Sequence, residues 1–235
     1  YGVLQAPLTA VGGGLGGLLV YLLVDGFLWM FGIHGGMVAY VGMAPIITVM
    51  MTENSAAFAQ GLACPHPEWA LMGFVIMGGS GATLAMNLLM LSKKTCKSAQ
   101  YRTLGKIALA PSLFNINEPL IFGSPIIMNP YLAVPFIFTP IVNTFLCLFA
   151  MKIGFFIPTG ASISTFMPFG IFGALLCGSW TGIVMSLILL AVDLVIYFPF
   201  FKASDNHNYQ MELASMKSAE ASADETDSKV EKAAA

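Results

Sequence analysis

Glu118 stands alone in an uncharged run: no other acid or base lies between Lys106 and Lys152. Around it the chain reads Asn115-Ile116-Asn117-Glu118-Pro119-Leu120-Ile121-Phe122-Gly123-Ser124-Pro125. A carboxylate in such apolar company is costly, and it is usually kept where it faces a protein interior or an aqueous cavity and works there. Pro119 and Pro125 bar a continuous helix through the run. Asn115 and Asn117 add amides that donate and accept together. The combination reads as a substrate site built from broken backbone inside a membrane. Within such a site Glu118 can accept the proton of a hydroxyl as it becomes a nucleophile, the work of a general base. His34 sits in a second break, Gly32-Ile33-His34-Gly35-Gly36. It could orient the same hydroxyl or offset charge on an incoming group, although a lone histidine in apolar sequence is by default a hydrogen-bonded core residue. Asn54, beside Glu53, reads equally as a pocket residue or as a polar loop tip. Asp25, late in the first apolar segment, and Asp193, inside the last, could line a polar path or cap a neighbouring helix.

The elements that must position these groups are membrane elements. The chain is 57% hydrophobic and only 9% charged, with a mean hydropathy of +0.80, whereas soluble domains carry about 25% charge. Its 235 residues allow one bundle of spans plus re-entrant pieces. The chain begins at Tyr1 without a signal-like pattern, so part of the protein is expected upstream. The net charge of -2 becomes informative once it is divided along the chain. Residues 1–201 hold the acids Asp25, Glu53, Glu68, Glu118 and Asp193, and most of their bases (Lys93, Lys94, Lys97, Arg102, Lys106) fall in one loop. That loop, Ser92 to Lys106, is assigned to the cytoplasmic side together with the tail after Lys202. Residues 203–235, rich in Ala, Ser and charge, are expected to form a polar, disordered or weakly helical cytoplasmic tail on a transmembrane domain of residues 1–202.

Hydropathy and glycine placement divide the domain further. Residues 8–31 form a Gly-rich span. Residues 32–52, with Gly35, Gly36, Gly42 and Pro45, read as a candidate re-entrant hairpin. Residues 69–91 read as one clean span, and 107–128 as a second broken segment centred on Glu118. Spans follow at 131–151 and 171–201, separated by an irregular stretch. Two interrupted segments, each with an ionisable group, are the usual pointer to a transporter site. Cys64, Cys96, Cys147 and Cys177 are widely spaced without a C-x-x-C pair, and Cys64-Pro65-His66 supplies too few ligands for a metal. No metal, cofactor or nucleic-acid partner is expected.

Three strings carry a family resemblance: Phe114 to Pro130 (FNINEPLIFGSPIIMNP), Trp29-Met30-Phe31-Gly32-Ile33-His34-Gly35, and Ile196-Tyr197-Phe198-Pro199-Phe200-Phe201-Lys202. Together they resemble the membrane subunit, enzyme IIC, of the lactose/cellobiose family of the sugar phosphotransferase system (PTS), here its C-terminal, substrate-binding portion. The resemblance implies an all-α, multi-pass protein of the bacterial inner membrane, with two re-entrant hairpins meeting at a sugar pocket. It implies uptake of a β-linked disaccharide coupled to phosphorylation of its 6-hydroxyl by a phosphocysteine on a separate cytoplasmic IIB protein. It also implies lipid contact and, in the full-length protein, a homodimer. By match, Glu118 and His34 fall on the family's essential glutamate and histidine, and Asn117 on a pocket position. The family's Pro-Trp-Thr-x-Pro-like run is replaced here by Ile157-Pro158-Thr159-Gly160-Ala161-Ser162-Ile163-Ser164-Thr165-Phe166-Met167-Pro168, without tryptophan. Two other classes remain open: a proton-coupled sugar transporter with Glu118 as proton carrier, and a truncated, non-transporting assembly protein.

Overall fold

The computed structural model describes residues 12–124 and 126–234, with side chains as far as residue 219. Among the described residues the secondary structure is helical throughout. The helices are α1 (Leu15–Trp29), α2 (Gly35–Ala59), α3 (Pro67–Ala70), α4 (Met72–Val75), α5 (Leu84–Leu91), α6 (Ala99–Leu113), α7 (Glu118–Gly123), α8 (Pro130–Lys152), α9 (Ile171–Cys177) and α10 (Thr181–Ala234). Among the described residues, three helical stretches are long and apolar enough to cross a membrane: Gly35–Ala59, Pro130–Lys152 and Thr181–Ala219. At 1.5 Å per residue the shortest of these reaches about 34 Å, against a hydrocarbon core of about 30 Å.

Two segment assignments differ from the sequence reading. Residues 32–52 do not form a hairpin. The chain turns at residues 30–34 and then runs as the unbroken helix α2, through Gly42 and Pro45, to Ala59. Gly35 and Gly36 serve close packing: a Cβ on Gly35 would lie 2.0 Å from the Asp25 carbonyl oxygen of α1. Conversely, residues 69–91 are not one span. The short helices α3 and α4 lead into a loop at 76–83 before α5 begins. Gly78, Gly79 and Gly81 hold φ of 83°, 96° and 79° there, and Ala82 follows at 55°. Helical hydrogen bonding cannot continue through such a run. The other anticipated break falls at residues 114–117, between α6 and α7.

Two apolar cores hold these pieces. One gathers Leu18, Leu22, Met50, Trp69, Phe74, Cys147, Leu176 and Leu189. The other gathers Trp29, Met86, Tyr101, Leu120, Ile121, Phe136, Tyr197 and Phe201, and so joins α7 to α1, α5, α6, α8 and α10. The Tyr197 hydroxyl donates to the Gly81 carbonyl (2.6 Å), which pins the glycine loop to α10.

The stretch after Lys202 is helical, and its first turns are docked on α6. Asp205 accepts from the N–H groups of Lys97 (2.9 Å) and Ser98 (3.0 Å). Glu212 accepts from Ala99 (3.1 Å), Gln100 (3.0 Å) and the Ser98 hydroxyl (2.6 Å). The physical reason is the free N–H groups of the first turn of α6, which attract carboxylates. The basic loop and the start of the tail therefore lie on one side of the bundle.

Candidate functional site

The turn between α1 and α2 and the break before α7 bring His34 and Glu118 together. His34 occupies the N-cap position of α2, and its Nδ1 accepts the Met37 N–H at 3.1 Å. With Nδ1 used as an acceptor, the neutral ring carries its hydrogen on Nε2. Nε2 lies 3.5 Å from Glu118 Oε1. The two side chains remain 45% and 44% exposed, so the pair faces open space. Trp29 tilts against the imidazole with ring centroids 4.6 Å apart, and Phe122 meets Trp29 edge-on at 5.9 Å. The other carboxylate oxygen, Glu118 Oε2, is buried without a hydrogen-bond partner among the described residues. The pair thus offers an N–H donor, a carboxylate acceptor and an aromatic wall around one opening.

Glu118 is the first residue of α7, and its position depends on the two asparagines before it. Asn115 adopts φ of 60°, a left-handed conformation that asparagine tolerates better than most residues. Its Oδ1 accepts from the Gly78 N–H (2.6 Å) and its Nδ2 donates to the Thr165 carbonyl (2.6 Å). Asn117, 4% exposed, donates from Nδ2 to the Ser80 carbonyl (2.7 Å) and to Thr83 Oγ1 (2.8 Å). Thr83 in turn donates to the Gly78 carbonyl (2.7 Å). Both asparagines are therefore spent on the 78–83 loop and the 165 region, and they hold the backbone that presents Glu118. A Cβ on Gly79 would lie 2.4 Å from Asn117 Cγ, so the grip requires glycine.

Asn54 is elsewhere. It lies twenty residues beyond His34 on the continuous helix α2, a separation of about 30 Å along the axis. Its Nδ2 donates to the His66 carbonyl (2.9 Å) and its Oδ1 accepts the His66 N–H (2.8 Å), so it clamps the loop after α2. The sequence left Asn54 open between a pocket residue and a polar loop tip; in the fold it lies near the C-terminal end of α2. Ser80 and Thr83 were not singled out from sequence. The cluster Gly78-Gly79-Ser80-Gly81 within an apolar run was the available signal. Asp193, fully buried on α10, accepts from Asn143 Nδ2 (3.3 Å) on α8, in keeping with a structural polar contact. Among the described residues no cluster of three or more His, Cys, Asp or Glu side chains could hold a metal.

A helical membrane-type bundle with an acid–imidazole pair at its backbone breaks fits what the comparisons find. The family pattern described as Phosphotransferase system, EIIC matches residues 3–140, more than half of the chain. This chain belongs to that family. The oligo-beta-mannoside-specific EIIC component of Bacillus subtilis (strain 168) is 38% identical over 216 residues, 90% of this chain and 48% of that protein. The lichenan permease IIC component of the same organism is 41% identical over 215 residues, 89% of this chain and 47% of its own length. The cellobiose-specific EIIC component of Geobacillus stearothermophilus is 36% identical over 218 residues, 90% and 48% of the two chains. In structure, the chain resembles the transporter ChbC, the IIC component of the N,N'-diacetylchitobiose-specific phosphotransferase system, with a TM-score of 0.82 at 37% identity. That match covers 89% of this chain and 49% of ChbC. The chain spans about half the length of the curated relatives it matches.

Proposed function

We propose that this chain is the substrate-binding portion of a PTS permease that takes up a β-linked disaccharide of the cellobiose class. It binds the sugar and presents its 6-hydroxyl to a phosphorylated IIB protein on the cytoplasmic side. The observation that carries the reading is the open pair His34 Nε2 and Glu118 Oε1, set at two backbone breaks in an otherwise apolar bundle. Glu118 takes the proton of the 6-hydroxyl while the sugar oxygen forms its bond to phosphorus. The bond from phosphorus to the IIB cysteine sulfur breaks, and the thiolate leaves on IIB. His34 donates from Nε2 to the sugar or to the incoming phosphoryl oxygens. Phosphoryl transfer of this kind depends on positioning and charge more than on covalent help from the protein. Asn115 and Asn117 act here as the residues that fix Glu118, and Asn54 acts in the fold.

The breaks at 76–83 and 114–117, tied by Asn115 and Asn117, support re-entrant pieces meeting at the pocket, with 76–83 in the place first given to 32–52. The protein works as a multi-pass component of the bacterial inner membrane, in contact with lipid, as a homodimer of the full-length subunit. The test is the chemical state of the imported sugar. Vesicles holding the full-length permease and phosphorylated IIB should accumulate labelled cellobiose or an oligo-β-mannoside as the 6-phosphate. Accumulation of unmodified sugar driven by a proton gradient would replace this reading with a secondary transporter.

A further inference from the structure

Asp25 is a buried carboxylate that the proposed reaction does not use. It lies on α1, is 3% exposed, and forms no ion pair with a Lys or Arg among the described residues. A carboxylate so placed in an apolar bundle is retained only if other groups compensate it. Two elements do so. From one side, Ser80 Oγ donates to Asp25 Oδ1 at 3.1 Å. From the other, the first turn of α2 closes on the same oxygen: a Cβ on Gly36 would lie 3.3 Å from Oδ1, and one on Gly35 would overlap the Asp25 backbone. Tyr21, one turn earlier on α1, donates its hydroxyl to the Gly36 carbonyl (3.2 Å). The negative charge thus faces the N-terminal end of a 25-residue helix, where the macrodipole favours it. His34, the residue just before that helix, is within electrostatic reach of the carboxylate.

These contacts connect the two halves of the site. On one arm, Asp25 holds the start of α2, where His34 is the cap. On the other, Asp25 holds Ser80, whose carbonyl accepts from Asn117, the neighbour of Glu118. His34 and Glu118 belong to elements more than eighty positions apart in sequence, and their direct contact of 3.5 Å is too long to fix their geometry alone.

We propose that Asp25 is a positioning residue: its carboxylate locks the α2 start and the 78–83 loop together and so sets the distance between His34 and Glu118. The proposal rests on the functional reading given above. It deepens that reading by naming the group behind the pair.

The experiment uses the full-length permease with phosphorylated IIB and the variants Asp25→Asn, Asp25→Ala, Ser80→Ala, the double variant Asp25→Ala/Ser80→Ala, and Glu118→Gln. Phosphorylation per folded transporter should fall about tenfold in Asp25→Asn and Ser80→Ala and about 10²-fold in Asp25→Ala, the scale of a misplaced reacting pair. Sugar affinity should change by less than these factors, giving a kcat loss larger than the change in binding. The double variant should be no worse than Asp25→Ala, because both act through one link. Nitrogen-15 NMR of labelled histidine should show His34 as the Nε2–H tautomer in the wild type and as a mixture in Asp25→Asn and Ser80→Ala. Wild-type kcat in both Asp25→Asn and Ser80→Ala, or strictly additive losses, would overturn the proposal, and these two variants decide the matter if Asp25→Ala does not fold. If Glu118→Gln phosphorylates normally, the functional reading fails instead, and the NMR tautomer alone then tests the positioning claim. An unchanged tautomer in the variants contradicts it.

Discussion

Gly79→Ala isolates the connection between the glycine loop and Glu118. At this position φ is 96°, and an alanine there carries a backbone cost of about 1–3 kcal/mol. Its Cβ would lie 2.4 Å from Asn117 Cγ and 2.5 Å from Oδ1, so the Asn117 side chain must leave. With it go the hydrogen bonds to the Ser80 carbonyl and Thr83 Oγ1, worth about 1 kcal/mol each. The total is about 3–5 kcal/mol, enough to move the start of α7 and Glu118 with it. The assay pairs thermal unfolding of the purified full-length protein in detergent with sugar binding by calorimetry. The control is Gly42→Ala, in the middle of α2, where a Cβ meets nothing within 4 Å. There alanine should be neutral or stabilise the helix by up to about 1 kcal/mol. Gly79→Ala should lower Tm clearly and abolish measurable sugar binding while Gly42→Ala does neither. Equal behaviour of the two variants would refute the claim that the loop grips Asn117.

Three further predictions separate structural from functional roles. His34→Ala should lose phosphorylation and, through its α2 cap, about 1 kcal/mol of stability; His34→Asn should restore the cap and Tm but not phosphorylation, and recovered activity in either variant would return His34 to a structural role. Asn54→Ala leaves the His66 N–H and carbonyl unpaired, so Tm should fall by an amount corresponding to about 1–3 kcal/mol while sugar affinity stays within about twofold of wild type; a large affinity loss at normal Tm would place Asn54 in the pocket after all. Glu212 accepts from the Ala99 and Gln100 N–H groups, so the hydrogen-exchange protection factors of these two amides should fall clearly in Glu212→Ala at fixed pH, and protection equal to wild type in the variant would remove Glu212 from the contact.

The break before α7 was legible because its signals are local. A single charge in an apolar run, followed at once by proline, marks the break that sets Glu118 beside His34. The cap of His34 was half legible: flanking glycines announced a turn but not the helix that starts there. What failed depended on information that hydropathy lacks. Residues 69–91 score as a clean span because glycine is nearly neutral on such scales, whereas the run at 78–81 bends only through its positive φ values. Residues 32–52 looked broken because Pro45 and four glycines are helix breakers on average. Here Gly35 and Gly36 pack against α1, Gly32 lies in the turn before α2, Gly42 is carried within the helix, and one missing N–H at Pro45 does not end α2. That continuity carries Asn54 away from His34. The docking of Asp205 and Glu212 on the first turn of α6 joins segments more than one hundred residues apart, and no local pattern announces it. Asp25 was visible as a costly carboxylate, but its partners come from two other elements.

In the proposed reaction Glu118 serves as the base for the sugar hydroxyl. Glu118→Gln keeps the size of the side chain and much of its hydrogen bonding while removing the base. Sugar affinity and IIB-dependent phosphorylation measured on one purified preparation of the full-length variant test it most directly. Phosphorylation should fall by about 10²-fold or more, the scale of a lost general base, while sugar binding falls far less. Phosphorylation at the wild-type rate, or loss of binding and phosphorylation in equal proportion, would contradict it.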